Sequence, residues 1–201
     1  MKKLLVLSLS VMLFSLTVLA QGKPKNVVLL IGDGMGLAQI YAGMVANGNK
    51  LQLERCKNVG FVKTYSASHS TTDSGAGGTA LACGVKTKNG MIGMNADSVV
   101  VRSILEMAEK NNLATGIVSA CAVTHATPAS FIAHVADRNM YEEIAAYYLK
   151  TDIDVFVGGG RKYFEERTDD RNLIDELKAK NYQIAYTIAD VKAVKSGKLA
   201  G

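Results

Sequence analysis

The chain has 201 residues, 48% of them hydrophobic, and a formal net charge of +5. That is enough apolar material for one substantial core, and too mild a charge, too evenly interspersed with acids, to indicate a nucleic-acid partner. The three cysteines, Cys56, Cys83 and Cys121, form no CxxC or CxxxH pattern and so mark no metal knuckle; their apolar or small-residue settings predict buried thiols.

The first twenty residues read as a secretory signal peptide. A basic "MKK" precedes the apolar run "LLVLSLSVMLFSLTVLA", and Val18 and Ala20 supply a small-residue cleavage pattern before Gln21. The expected mature protein, residues 21–201, is therefore exported, periplasmic or secreted, and touches a membrane only through this segment during export. The alternative is an uncleaved anchor, for which the run sits at the lower edge of spanning length. Export permits a disulfide, although an odd count leaves at least one thiol free.

From there strand-like and helix-like stretches alternate. "VVLLI" (27–31) is a continuous apolar run closed by glycine, as expected of a strand buried on both faces. A helix is predicted over "LAQIYAGMVA" (37–46), a strand over "GFVKTYSA" (60–67), and helices over "SGAGGTALA" (74–82) and "VRSILEMAEK" (101–110). Next come strand "ATGIVSA" (114–120), helices "PASFIAHVA" (128–136) and "YEEIAAYYLK" (141–150), strand "IDVFVGGG" (153–160), helix "LIDELKAK" (173–180) and strand "YQIAYTI" (182–188). This alternation predicts an α/β fold, a mainly parallel sheet with helices on both faces.

In such a sheet ligands bind beyond the carboxyl ends of the strands, and the residues that follow the strands carry chemistry. Asp33 follows the first strand, Asp73 and Ser74 the second, and His125 and Thr127 the third, with Arg138 one helix later. Each also has an ordinary structural reading. Asp33 suits an Asp-Gly turn, Asp73 a helix N-cap, and Thr127-Pro128 an N-cap followed by proline at the first helical position. His125 suits a loop histidine and Arg138 a cation near a helix C-terminus. Taken together, an acid able to attract a metal, a serine at a helix N-terminus, an imidazole and a guanidinium make a phosphate-ester site. Gly75, Ala76, Gly77 and Gly78 would keep the space above Ser74 clear, at a cost in helix propensity.

Other motifs fail on spacing. "GDGMG" lacks the third small residue of a dinucleotide loop, because Leu37 or Gln39 stands there. "TDSGAG" resembles a serine-protease motif, but His69 lies only five residues before Ser74 and the chain is not all-β. A nucleophile elbow needs glycine where Thr72 stands, and a lysine-activated serine needs lysine where Gly77 stands. Gly84-Val85-Lys86-Thr87 lacks the adjacent Gly-Lys pair of a P-loop.

The ordered blocks "VVLLIGDGMG", "TDSGAGGTALACGVKTKNG", "SILEMAEKNNLATGIVSACAVTHATPASFIAHVADR" and "IDVFVGGGRKYF", covering most of residues 25–165, resemble the amino-terminal part of an alkaline phosphatase. The resemblance implies a metal-dependent phosphate monoester hydrolase in which Ser74 is the nucleophile and forms a phosphoseryl intermediate. It implies that Asp33 bridges a zinc and a magnesium ion, that Ser74 meets a zinc, and that Thr127 gives its hydroxyl to the magnesium. Arg138 would fork onto phosphate oxygens and Asp73 would orient that arginine. His125 stands where members of the family carry an aspartate or a histidine beside the magnesium. The complete family site holds two zinc ions and one magnesium, and the resemblance also implies a homodimer. Family members are much longer and draw their remaining metal ligands from their second half. The expectation is thus an amino-terminal portion whose sheet is incomplete at its C-terminal side, inactive and aggregation-prone alone. The alternative is a non-catalytic phosphate- or metal-binding module.

Overall fold

The structure, a computed structural model, describes residues 24–201. The signal segment read at residues 1–20 lies outside those residues. Among the described residues no helix is long and apolar enough to cross a membrane. The chain divides into two compact units, one ending at Gly48 and one spanning Asn49–Gly201.

In the first unit the expected helix forms as α1, Leu37–Ala46. Gly36 precedes it, and the Gln39 side chain accepts the Gly36 N–H at 3.0 Å, occupying one of the donors a helix start leaves open. The expected strand at 27–31 does not form. Among the described residues it joins no sheet, and Val27, Val28 and Leu30 are each at least 80% exposed. A strand is stable only where its N–H and C=O groups find a ladder partner, and apolar composition does not provide one.

In the second unit the 60–67 stretch is likewise not a strand, and Phe61 and Val62 stand in solvent. It leads through a turn to α2, Ser74–Cys83, which Gly84 ends in the left-handed conformation at φ 72°. Helix α3, Ile104–Lys110, starts at a capping box: Ser103 Oγ accepts the Glu106 N–H at 3.1 Å and Glu106 Oε2 accepts the Ser103 N–H at 2.7 Å. The main sheet is wholly parallel. Its strands are β1 Gly116–Ala122, β2 Val155–Gly159, β3 Tyr182–Ile184 and β4 Lys198–Ala200, in the order β1-β2-β4-β3. Strand β4 has no counterpart among the expected elements. Ile117 opposite Phe156 sets the β1–β2 register, which slips before Ala122 meets Gly159. Gly158 sits at that slip, where an added Cβ would lie 2.8 Å from Val123 Cγ1 and 3.0 Å from the Cys121 and Ser119 carbonyls. Glycine is the residue that lets the strands close there.

Five more helices connect and cover the strands: α4 Ala126–Ala129, α5 Tyr141–Lys150, α6 Lys162–Glu165, α7 Leu173–Ala179 and α8 Ile188–Ala193. The expected helix at 128–136 is much shorter. From Phe131 the chain leaves the helix because Val135 pairs with Ile92 through N–H···O bonds of 2.9 and 3.0 Å, while the His134 ring lies between the Gly93 carbonyl and Glu106. The core gathers on one face of the sheet, with Ile144, Tyr148, Phe156, Phe164, Leu173 and Leu177 buried. The Tyr148 and Phe156 ring centroids are 4.4 Å apart, and the Tyr148 hydroxyl donates to the Val123 carbonyl at 2.9 Å, anchoring α5 to the end of β1. On the second face Val191 of α8 and Val157 approach Gly201, whereas Val118 on β1 is 79% exposed. That face is covered at its β2–β4 end and open over β1. The expectation of buried thiols is corrected as well: Cys56 and Cys121 are exposed, Cys83 is half-buried, and all three are free.

Candidate functional site

Asp73 is the centre of the site. It caps α2, with Oδ1 accepting the Ala76 N–H at 2.9 Å, so the structural reading of this acid is correct. The same carboxylate does more than cap. Its Oδ2 accepts the Gly90 N–H at 3.0 Å and an Arg138 Nη1–H at 3.0 Å. Burial, the largest influence on this carboxyl, pushes its pKa up. The hydrogen bonds from Ala76, Arg138 and Gly90, with the arginine's charge, outweigh that and hold it below the ordinary value. An ionised Asp73 thus holds a guanidinium beside the start of α2. Ser74, the first residue of that helix, is half-buried. The bond to Asp73 is the one side-chain hydrogen bond Arg138 makes among the described residues, and its side chain is 30% exposed. The other N–H groups of the fork remain for a second anion.

Two of the α2 glycines make close packing contacts. Gly75 and Gly78 are buried: a Cβ on Gly75 would meet the Met91 carbonyl at 3.0 Å, and one on Gly78 would meet Ser130 Oγ at 2.7 Å and Thr127 Cα at 3.4 Å. Gly78 lets α2 lie directly against α4, with Thr127 Cα beside it, four residues along α2 from Ser74. The space Gly78 vacates borders α4, whereas that at Gly75 borders the Met91 carbonyl. Helix α4 begins two residues earlier than the Thr127-Pro128 reading required, with His125 at its N-cap. Pro128 is therefore the third helical residue, where its missing N–H is still among those with no intrahelical partner. His125 is exposed and stacks on Tyr141, with ring centroids 6.0 Å apart and planes at 25°.

Asp33 lies in the amino-terminal unit, exposed, in a turn where Met35 N–H bonds to the Gly32 carbonyl at 3.2 Å and Gly34 adopts φ 66°. The Asp-Gly turn reading thus describes its local conformation. Among the described residues no three His, Cys, Asp or Glu side chains gather in a way that could hold a metal ion. Asp33, Ser74, His125 and Thr127 do not by themselves supply enough donors for the two zinc ions and one magnesium that the sequence resemblance implies. A catalytic zinc takes about three protein ligands.

Sequence reasoning did not single out Asn89. Its amide grips the segment that leads into α2: Oδ1 accepts the Asp73 N–H at 3.2 Å and Nδ2 donates to the Thr71 carbonyl at 3.0 Å. Asn-Gly is a turn signal, and Gly90 sits at φ 89°, but the signal does not say what the turn holds. His69 pairs with Ser68, Nδ1 to Oγ at 2.8 Å, and makes no serine-protease arrangement with Ser74.

A capped helix carrying a serine at its first position, packed on a second helix and flanked by an ion-paired arginine, on a parallel sheet, is an arrangement able to receive a phosphate ester. The family model "Alkaline phosphatase" matches residues 24–199. The chain belongs to the alkaline phosphatase family. It is 38% identical to alkaline phosphatase 4 of Bacillus subtilis, over 88% of this chain and 41% of that protein, and 33% identical to the mouse tissue-nonspecific isozyme, over 76% and 36%. Among solved structures, alkaline phosphatase from the Antarctic bacterium TAB5 superposes with a TM-score of 0.85 at 42% identity, over 89% of this chain and 53% of that one. A histidine-to-aspartate mutant of the TAB5 enzyme holds magnesium in its M3 site. The chain spans about half the length of these structures and less of the curated relatives.

Proposed function

We propose that the chain supplies the nucleophile and the phosphate clamp of an exported phosphate monoester hydrolase that works through a phosphoserine intermediate. The observation that carries this is the Arg138 guanidinium held 3.0 Å from the Asp73 carboxylate, one residue before Ser74 at the start of a ten-residue helix. The helix N-terminus favours both an incoming phosphate and the developing alkoxide of a serine. In the proposed reaction Ser74 Oγ gives up its proton as it bonds to phosphorus, and the ester P–O bond breaks with its electron pair going to the alcohol oxygen, which takes up a proton. Water then cleaves the phosphoserine and releases orthophosphate. The transition state is loose, so the protein's part is to hold the phosphoryl oxygens and the nucleophile in line, and Arg138 suits the first task.

Zinc and magnesium belong to this proposal as cofactors of the whole site. Asp33, Ser74, His125 and Thr127 are the donors this chain would offer, and too few to hold such ions alone. The test uses the full-length gene product supplied with zinc and magnesium. It should release phosphate from an aryl phosphate, and Ser74→Ala should lower kcat on the order of 10³-fold or more. Turnover unchanged in Ser74→Ala would sink the proposal. The second reading, a non-catalytic phosphate- or metal-binding module, is favoured by the lack of a gathered metal-ligand cluster among the described residues. It predicts phosphate binding with no turnover in that assay. Homodimer formation and export follow family resemblance and residues 1–20, and intact mass with light scattering on native material tests both.

A further inference from the structure

We propose that Asn89 is a positioning residue that sets where Ser74 sits relative to Arg138; the inference rests on Ser74 acting as nucleophile. An asparagine in a turn ordinarily bonds its own backbone about two residues on. Asn89 instead reaches 16 and 18 residues back along the chain, spending its acceptor on the Asp73 N–H and its donor on the Thr71 carbonyl. These two bonds flank Thr72 and fix the peptide run that delivers Ser74 to the helix start. The Asn89 N–H is itself held by Ser68 Oγ at 3.0 Å, so the clamp is anchored behind as well as in front.

Gly90 joins this clamp to the arginine. Its N–H goes to the Asp73 oxygen that also takes Arg138 Nη1–H, and its carbonyl accepts the Arg138 backbone N–H at 2.7 Å. The two halves of the site, separated by 65 residues in sequence, are therefore tied to adjacent residues of one turn. Asn89 holds the serine side and Gly90 the arginine side. Neither bond of the Asn89 amide reaches Arg138, and the Asp73 carboxylate that holds Arg138 keeps its own bonds from Ala76 and Gly90, so losing the amide should displace the nucleophile more than the phosphate clamp. A misplacement on the order of 1 Å costs roughly 100-fold in rate when the reacting atoms must be in line.

The experiment compares Asn89→Ala and Asn89→Asp with wild type in the metal-loaded, full-length gene product, assayed well below each variant's melting temperature. Asn89→Ala removes both bonds, whereas Asn89→Asp keeps the acceptor for the Asp73 N–H and loses the donor to Thr71. The expected result is a fall in kcat of roughly 10- to 100-fold in Asn89→Ala and a smaller fall in Asn89→Asp. The inhibition constant for inorganic phosphate should stay within about threefold in both, because the arginine side is intact. A kcat within twofold of wild type, with only the melting temperature lowered, would reduce Asn89 to a structural turn residue and overturn the proposal. So would phosphate inhibition weakening in step with kcat, which would mean that the amide acts through Arg138. If Asn89→Ala does not fold, Asn89→Asp is read by the same criteria. Ser74→Ala separates the two levels: an active Ser74→Ala removes the hydrolase reading itself, whereas an inactive one beside a normal Asn89→Ala removes this inference alone.

Discussion

At the scale of single residues Asp73 carries two duties, capping α2 and holding Arg138, and its protonation links them. Its ordinary carboxyl value is 3.8; burial, the largest influence, raises it, and the bonds from Ala76, Arg138 and Gly90 bring it below that value. A carboxylate held below its unfolded value contributes its full stability above that value and gives it up as pH falls through the lower folded one. Asp73→Asn should therefore be less stable than wild type by a constant amount above roughly pH 5, and the two stability curves should converge below roughly pH 4. Urea unfolding at a series of pH values checks this, and a gap that persists unchanged into acid would show that Asp73 matters only by shape. That Asp73 caps a helix was legible in the sequence, because a cap is a local pattern of a short polar residue before a helical run. That the same oxygen serves Gly90 and Arg138 was not, since those partners lie 17 and 65 residues away.

At the scale of elements the contact between α2 and α4 rests on Gly78. An alanine at position 78 would place its Cβ 2.7 Å from Ser130 Oγ, an atom fixed in turn by its 2.7 Å bond to the Ala126 carbonyl. Gly78→Ala should therefore destabilise the protein by about 1–3 kcal/mol through overpacking, even though alanine is the better helix former. Adding Ser130→Ala removes the nearest atom and should recover part of the loss. Thermal unfolding of the single and double variants measures this, and a Gly78→Ala protein as stable as wild type would show that the helices have room to part. The run of glycines in the sequence announced that something other than helix stability wanted them. Whether that was an open space for substrate or a neighbouring helix depended on where α4 lies, which residues 75–78 do not encode. The 128–136 stretch shows the same limit: its apolar spacing suits a helix, but the antiparallel bridge of Val135 to Ile92 competes for the backbone and wins.

At the scale of the whole molecule the second unit leaves apolar surface and sheet edge open. Phe61 is fully exposed, Val59 and Val62 are more than 80% exposed, and β1 pairs on one side only among the described residues. Exposed apolar patches and unpaired strand edges both promote association. Residues 24–201 produced alone should accordingly self-associate and bind a hydrophobic dye, and Phe61→Ser combined with Val118→Lys should reduce both. Size exclusion with light scattering is the measurement. A monodisperse monomer that leaves the dye dark would overturn this expectation.

What the sequence determined by itself was local. Residues 37–46 and 141–150 form helices with the bounds their periodicity implied, Ser103 and Glu106 close the capping box that starts α3, and the apolar cores of β1 and β2 fall within the expected strands. Tertiary structure alone decided the rest: β4 inserted between β2 and β3, the apolar runs at 27–31 and 60–67 left without a ladder, and Asp73, Asn89, Gly90 and Arg138 drawn into one cluster. The physical reason is range. Helix propensity and capping act over about four residues, whereas a strand's partner and a carboxylate's counter-ion are chosen by segments that meet only once the chain has folded back on itself.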